Sequence, residues 1–152
     1  MIPNGSGPKP AESRAARTVR EVFESGRPLI YIRSSEEQRV ASILQEVAAD
    51  QGLPLLTWRL TDALRGVDGQ PIDGTETPRG VLDFIAEAGQ GIFHLKDFHE
   101  PLRDSAEIRR RLRDTYDACL GRQKFVVITS AVRFVPEEVE RSILFLELRT
   151  PD

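Results

Sequence analysis

The chain has 152 residues, 30 % of them charged and 39 % hydrophobic, which excludes a disordered polymer and allows one domain with a sizeable core. A formal net charge of −3 argues against nucleic-acid binding by bulk electrostatics, and no apolar run reaches the roughly 18 residues that cross a bilayer. The single cysteine, Cys119, leaves no internal disulfide and fits a reducing compartment, so a cytoplasmic location is expected.

Residues 1–10 are rich in Pro, Gly and polar groups and lack the apolar stretch of a signal peptide. A disordered arm is expected there, and a single α/β domain opened by an N-terminal helix over 11–152. The first helix, over 11–25, carries Ala15, Val19, Val22 and Phe23 along one stripe and closes at Gly26. The segment 29–33 reads as a strand, nearly continuous in apolar residues as a parallel strand covered on both faces must be. Ser34 and Glu37 predict a capping box that opens a helix running to about residue 50, with Val40, Ile43, Leu44 and Val47 inward and Gly52 ending it.

A second strand is expected over 55–60, with Trp58 packed under a helix. The stretch 65–76, punctuated by Gly66, Gly69, Pro71 and Gly74, reads as a flexible loop. Thr77 and Pro78 open the next helix, with Val81, Leu82 and Ile85 inward. A third strand follows over 91–97. Asp104 or Ser105 caps a helix whose inward face is expected to carry Ile108, Leu112, Tyr116 and Leu120 before Gly121. A fourth strand over 125–130, a short helix over 136–141 and a fifth strand over 143–148 complete the pattern. Strands alternating with helices give a parallel sheet with right-handed crossovers.

The turn after the first strand is where such folds cradle phosphate. That cradle needs glycines for close backbone approach and a lysine for the terminal phosphates. Ser34, Ser35, Glu36 and Glu37 stand there instead, and their acid and bulk would repel a triphosphate. A nucleotide-binding fold that no longer binds nucleotide is the expectation.

Several words along the chain resemble a known group. They are Leu29-Ile30-Tyr31-Ile32-Arg33 before a Ser-Glu-Glu helix, then Gly52-Leu53-Pro54-Leu55 with Thr57-Trp58, then Leu82-Asp83-Phe84-Ile85. Ile92-Phe93-His94-Leu95-Lys96-Asp97-Phe98-His99 and Val126-Val127-Ile128-Thr129-Ser130 follow, the Leu-Lys-Asp-Phe-His word being the most specific. Together they resemble the N-terminal domain of the AAA-family ATPases first catalogued as a conserved chloroplast reading frame, which has bacterial and cyanobacterial relatives. The resemblance spans about residues 27–150. It implies a three-layer, P-loop-like parallel sheet of five strands in the order 5-1-4-3-2, without a phosphate-binding loop. In those proteins a complete AAA+ module follows, so ATP and magnesium would belong to that module and no cofactor to this chain. The sequence stops at 148–152, where the linker to that module would begin, so a fragment or a stand-alone version without the motor is expected. Its Arg- and Ala-rich usage would suit a GC-rich bacterium.

On the P-loop scaffold Asp97 falls where a magnesium-binding carboxylate sits, but Phe98 replaces the acidic water activator that should follow. Thr129 or Ser130 falls near the residue that senses the last phosphate. His94, Asp97, His99 and Glu100 invite a transition-metal site; an extended strand puts His94 and Asp97 on opposite faces, which favours a structural role for each, with Lys96 a partner for Asp97. Arg109, Arg110, Arg111 and Arg113 make the densest basic run, spread over a solvated helix face and paired locally with Asp104, Glu107 and Asp114. They fit an acidic partner protein better than nucleic acid. Cys119 reads as a buried small hydrophobe, and no nucleophile elbow is present.

A non-catalytic binding and assembly domain is therefore expected, with an AAA+ module in cis or in trans, a protein substrate or a regulator as partner. Its candidate interaction edge comprises Ser34, Ser35, Glu36, the 65–76 loop, Asp97, His99 and Glu100, with Arg109, Arg110 and Arg113 as a second surface. The alternative is a nucleotide sensor or enzyme using Asp97, Ser130, Arg133 and the serine turn.

Overall fold

A computed structural model describes residues 14–148; the expected arm over 1–10, the start of the first helix and residues 149–152 lie outside the described residues. Helix α1 (Arg14–Glu24) buries Ala16, Val19 and Phe23, and Gly26 adopts φ 82° to release the chain into strand β1 (Leu29–Arg33). Helix α2 (Glu37–Gln51) ends in a second left-handed glycine, Gly52, before strand β2 (Leu55–Trp58). Helix α3 (Pro78–Glu87) and strand β3 (Gly91–Lys96) follow. Two helices in succession, α4 (His99–Asp104) and α5 (Ala106–Cys119), lead to strand β4 (Lys124–Ser130). A 3-10 turn, Glu137–Val139, precedes the last strand, β5 (Leu144–Glu147).

All strand pairings are parallel and the order is β2-β3-β4-β1-β5, the predicted 5-1-4-3-2. Alternation along the central strands divides the core between two faces. Ile30, Ile32, Phe125 and Val127 point to the layer of α1 and α2, where they meet Val19, Phe23, Leu44 and Val47. Leu29, Tyr31, Val126 and Ile128 point to the opposite layer, with Leu82, Ile85, Ile108 and Leu112. Each such fully buried side chain contributes about 1.5–3 kcal/mol relative to exposure. The Phe23 and Phe125 rings stack at 4.7 Å and fasten α1 to the sheet. Among the described residues no helix is long and apolar enough to cross a membrane.

The structure corrects several local expectations. No capping box opens α2: Glu36 holds the N-cap position without a side-chain bond, and the Ser34 hydroxyl accepts from the Glu36 N–H at 3.0 Å, two residues on. Leu120 does not face inward; it is 46 % exposed, and Thr115 and Cys119 take the buried positions. Helix α4, opening at His99 after β3, is not among the elements expected from the sequence. Only a 3-10 turn stands where a helix over 136–141 is expected.

The 65–76 stretch is not a loose loop. Thr57 and Arg65 exchange both backbone bonds, at 3.2 and 2.9 Å, so the segment folds back along the outer edge of β2. Buried Thr75 then ties it down: its hydroxyl accepts from Leu64 N–H at 2.8 Å and donates to the Ile72 carbonyl at 2.6 Å, and its carbonyl accepts from Trp58 Nε1 at 2.7 Å.

Candidate functional site

Parallel α/β sheets gather their functional groups at the carboxyl ends of the strands. Here the ends of β1, β3 and β4 surround a crevice of about 110 Å³ lined by Ser34, Ser35, Glu37, Asp97, Thr129 and Ser130. Its turn from β1 to α2 is short and bonded both within itself, Glu36 N–H to Ser34 Oγ at 3.0 Å, and to β4. Ser34 N–H donates to the Ser130 carbonyl at 2.9 Å, and no run of bare backbone lies between the strand and the helix. Glu37, the first residue of α2, stands where a phosphate would meet the helix N-terminus. An acid is favourable at that end of the helix dipole, and an incoming anion is not.

The lysine of the region comes from elsewhere in the fold. Lys96, expected beside Asp97, reaches Glu37 instead at 3.4 Å and keeps only 13 % of its side chain exposed. This contact joins the end of β3 to the start of α2, one of whose residues, Glu37, lines the crevice. Asp97 itself turns the chain with φ 55°, its N–H donating to the Thr129 carbonyl at 2.8 Å. Its carboxylate is exposed.

Behind this rim several polar groups already have partners. His94 is buried and its Nε2 lies 2.8 Å from Thr129 Oγ1. Burial, with smaller help from Lys96 and Arg59, lowers its pKa to about 3, so the ring is neutral. Ser130 Oγ accepts from Val132 N–H at 2.9 Å, and the Tyr31 hydroxyl donates to the Val132 carbonyl. Burial pushes the Tyr31 hydroxyl pKa up. Arg33 bonds Glu147 at 2.8 Å and the Ala131 carbonyl at 3.3 Å. Arg133, a member of the sensor alternative, lies with its guanidinium 4.3 Å above the Phe145 ring.

The proposed interaction edge is thus only partly a surface. Ser35, Asp97 and Glu100 are exposed, Ser34 and Glu36 are half-buried, and His99 is 8 % exposed at the start of α4 with its Nδ1 unpartnered. Among the described residues no group of three His, Cys, Asp or Glu side chains could hold a metal ion.

The second surface divides likewise. Arg109 bonds Glu138 at 2.8 Å and the Leu102 and Arg103 carbonyls at 2.8 and 3.2 Å, joining α4, α5 and the 3-10 turn. Its guanidinium holds the Glu138 carboxyl below the usual carboxylate range. Arg111 bonds Asp83 at 2.7 Å and Glu107 at 3.1 Å, tying α5 to α3. Arg113 touches the Glu138 carbonyl at 3.4 Å, and Arg110, 81 % exposed, is left with a 4.0 Å contact to Asp114. Asp104, expected within this network, meets Arg103 instead at 3.8 Å.

Strand order and crevice together define a P-loop-like α/β domain without a phosphate-binding loop. More particularly, the chain belongs to the family described as SpoVK-like AAA ATPase, N-terminal domain, which it matches over residues 15–148. The resemblance to an N-terminal domain of AAA ATPases is thereby borne out. No curated protein matches the chain. The family is defined by a domain N-terminal to an ATPase, so membership assigns no catalytic residue here.

Sequence reasoning missed the Lys96–Glu37 contact. Its one available signal was position: a lysine two residues after a buried histidine ends β3 on the same side as that histidine, level with the first turn of the neighbouring helix.

Proposed function

We propose that this domain is a non-catalytic docking and regulatory element for an AAA+ module in cis or in trans, with proteins as partners and no nucleotide of its own. One observation carries the reading. The crevice that would hold phosphate measures about 110 Å³ and is lined by Glu37 and Asp97, whereas small-molecule sites run from roughly 300 Å³ upward. What persists is a rigid sheet with an exposed polar edge, which suits contact with a neighbouring protein surface.

Thermal melting of the chain with ATP and magnesium tests the nucleotide half of this reading. A ligand at a hundred times its Kd adds about 2.7 kcal/mol and moves the transition by several degrees. No shift is expected, and a clear one would restore the sensor alternative. The docking half is tested by adding the chain to its cognate AAA+ module. A changed ATPase rate or a changed sedimentation profile is expected, and an unchanged module would remove the regulatory role.

A further inference from the structure

At the opposite end of the sheet from the crevice, beside the start of β2 and β3, lies a second concavity of about 390 Å³. Pro54, Leu56, Ile72, Phe84, Ala88 and Phe93 form its apolar floor and walls. One wall is the folded-back segment after β2, whose tip is fixed by bonds from Gly66 N–H to the Gln70 carbonyl at 3.1 Å and from Gly69 N–H to the Gly66 carbonyl at 2.9 Å. That tip holds Val67 at the groove's lip, 77 % exposed, the most exposed large hydrophobic among the described residues. A single exposed valine is ordinary, but one continuous with five half-buried or buried apolar side chains in a groove is a patch.

The rim is charged on one side of the ledger only. Asp68 lines the groove and accepts from Gln70 N–H at 3.0 Å, while Asp73 and Glu87, exposed, follow Ile72 and precede Ala88 in the sequence without lining it themselves. Among the described residues none of the three has an ion-pair partner, and no lysine or arginine lines the groove. The nearest cation in sequence, Arg65, is held by Asp62 at 3.0 Å and by the Gly69 carbonyl at 2.8 Å. Several surface charges elsewhere are paired, among them Arg33–Glu147, Arg109–Glu138 and Arg111–Asp83.

An apolar floor with Asp68 on its wall, two exposed acids adjoining it in sequence and no lysine or arginine in its lining selects one kind of occupant. We infer that this groove docks a short segment of a partner protein bearing one bulky apolar side chain flanked by lysines or arginines. The apolar anchor fills the space between Leu56, Ile72 and Phe84, and its basic neighbours face Asp68, Asp73 and Glu87. The inference rests on the reading of this chain as a docking domain and adds a surface remote from the crevice.

Panning a random peptide display library against the full chain tests it. Enriched peptides are expected to carry Leu, Ile, Phe or Met beside two or more basic residues. A synthetic representative should lose about tenfold or more in affinity to Val67→Asp, and as much to the Asp68→Lys, Glu87→Lys double variant. Both variants alter exposed positions and should melt as the parent does. Replacing the peptide's apolar anchor by glycine should cost a similar factor, which separates docking from mere attraction to an acidic protein. Acidic consensus peptides, no consensus, or binding indifferent to these changes would overturn the groove. So would self-association of the chain abolished by Val67→Asp, since the occupant would then be a second copy. If the AAA+ module still responds to Val67→Asp while peptide selection fails, the docking role stands and the groove alone falls.

Discussion

His94 on β3 and Thr129 on β4 face each other across 2.8 Å, one imidazole and one hydroxyl, both buried just beneath the crevice rim. Each is the other's polar partner, so the pair trades two solvation losses for one directional bond. Thr129→Val should leave the His94 nitrogen orphaned and cost about 1–3 kcal/mol, read as a lowered midpoint in urea.

The same histidine makes stability pH-dependent with a definite sign. Its folded pKa is about 3 against an ordinary 6.5, so the unfolded chain takes up a proton that the fold refuses. Its contribution is complete above the ordinary value and is lost as the pH falls towards 3, at about 1.4 kcal/mol per pH unit. Unfolding free energies of the parent and of His94→Gln, compared from pH 7 to 4, should show a flatter slope for the variant. Parallel slopes would mean that the histidine takes up its proton in the fold as readily as in the unfolded chain.

Gly80 lies within the first turn of α3, where a Cβ would run into the carbonyl oxygen of Gly74 and crowd Thr77 Oγ1 at 3.0 Å. Helix propensity favours alanine over glycine by about 1 kcal/mol. The clash should reverse that preference, so Gly80→Ala is expected to destabilise by about 1–3 kcal/mol in urea unfolding. A stabilised variant would mean that the turn around Gly74 yields.

Two neighbouring arginines should behave differently. Arg109 reaches a carboxylate and two carbonyls and is 23 % exposed, while Arg110 is 81 % exposed. Arg109→Ala is expected to lower stability by about 1–2 kcal/mol, and Arg110→Ala to change it by less than about 0.5. Differential scanning calorimetry on the two variants checks the contrast.

Thr75 should govern the segment beside β2. Thr75→Val keeps the shape but removes the acceptor for Leu64 N–H. Amide exchange at Leu64 and Ile72 should quicken about tenfold or more, with β4 amides less affected. Uniform acceleration would show that the segment opens only with the whole domain.

The five strands were legible because apolar runs such as Phe125-Val126-Val127-Ile128 leave a parallel sheet little choice, and the order followed from the family words. The α5 face was misread for a geometric reason. Four residues advance a helix by about 400°, so a stripe counted at every fourth position slips about 40° per step. By Leu120 the stripe that began at Ile108 has left the core, and Thr115 and Cys119 occupy the face. The α2 cap failed because the Ser34 hydroxyl found Glu36 N–H, a nearer donor than the one a capping box uses. The groove could not be read from the chain order at all. Leu56, Val67 and Phe84 come together only when the segment after β2 doubles back, and Thr75 decides that from within the core.

Strand β5 lies beside β1 in parallel, matched from Ile30–Leu144 to Arg33–Glu147, and Leu148 N–H adds a further bond to the Arg33 carbonyl. A pull applied beyond Leu148 and opposed before Leu29 would run along those two strands. Their rungs would then share the load and give way together, the geometry of a mechanical clamp. Tension on the domain should accordingly meet its stiffest resistance between β1 and β5.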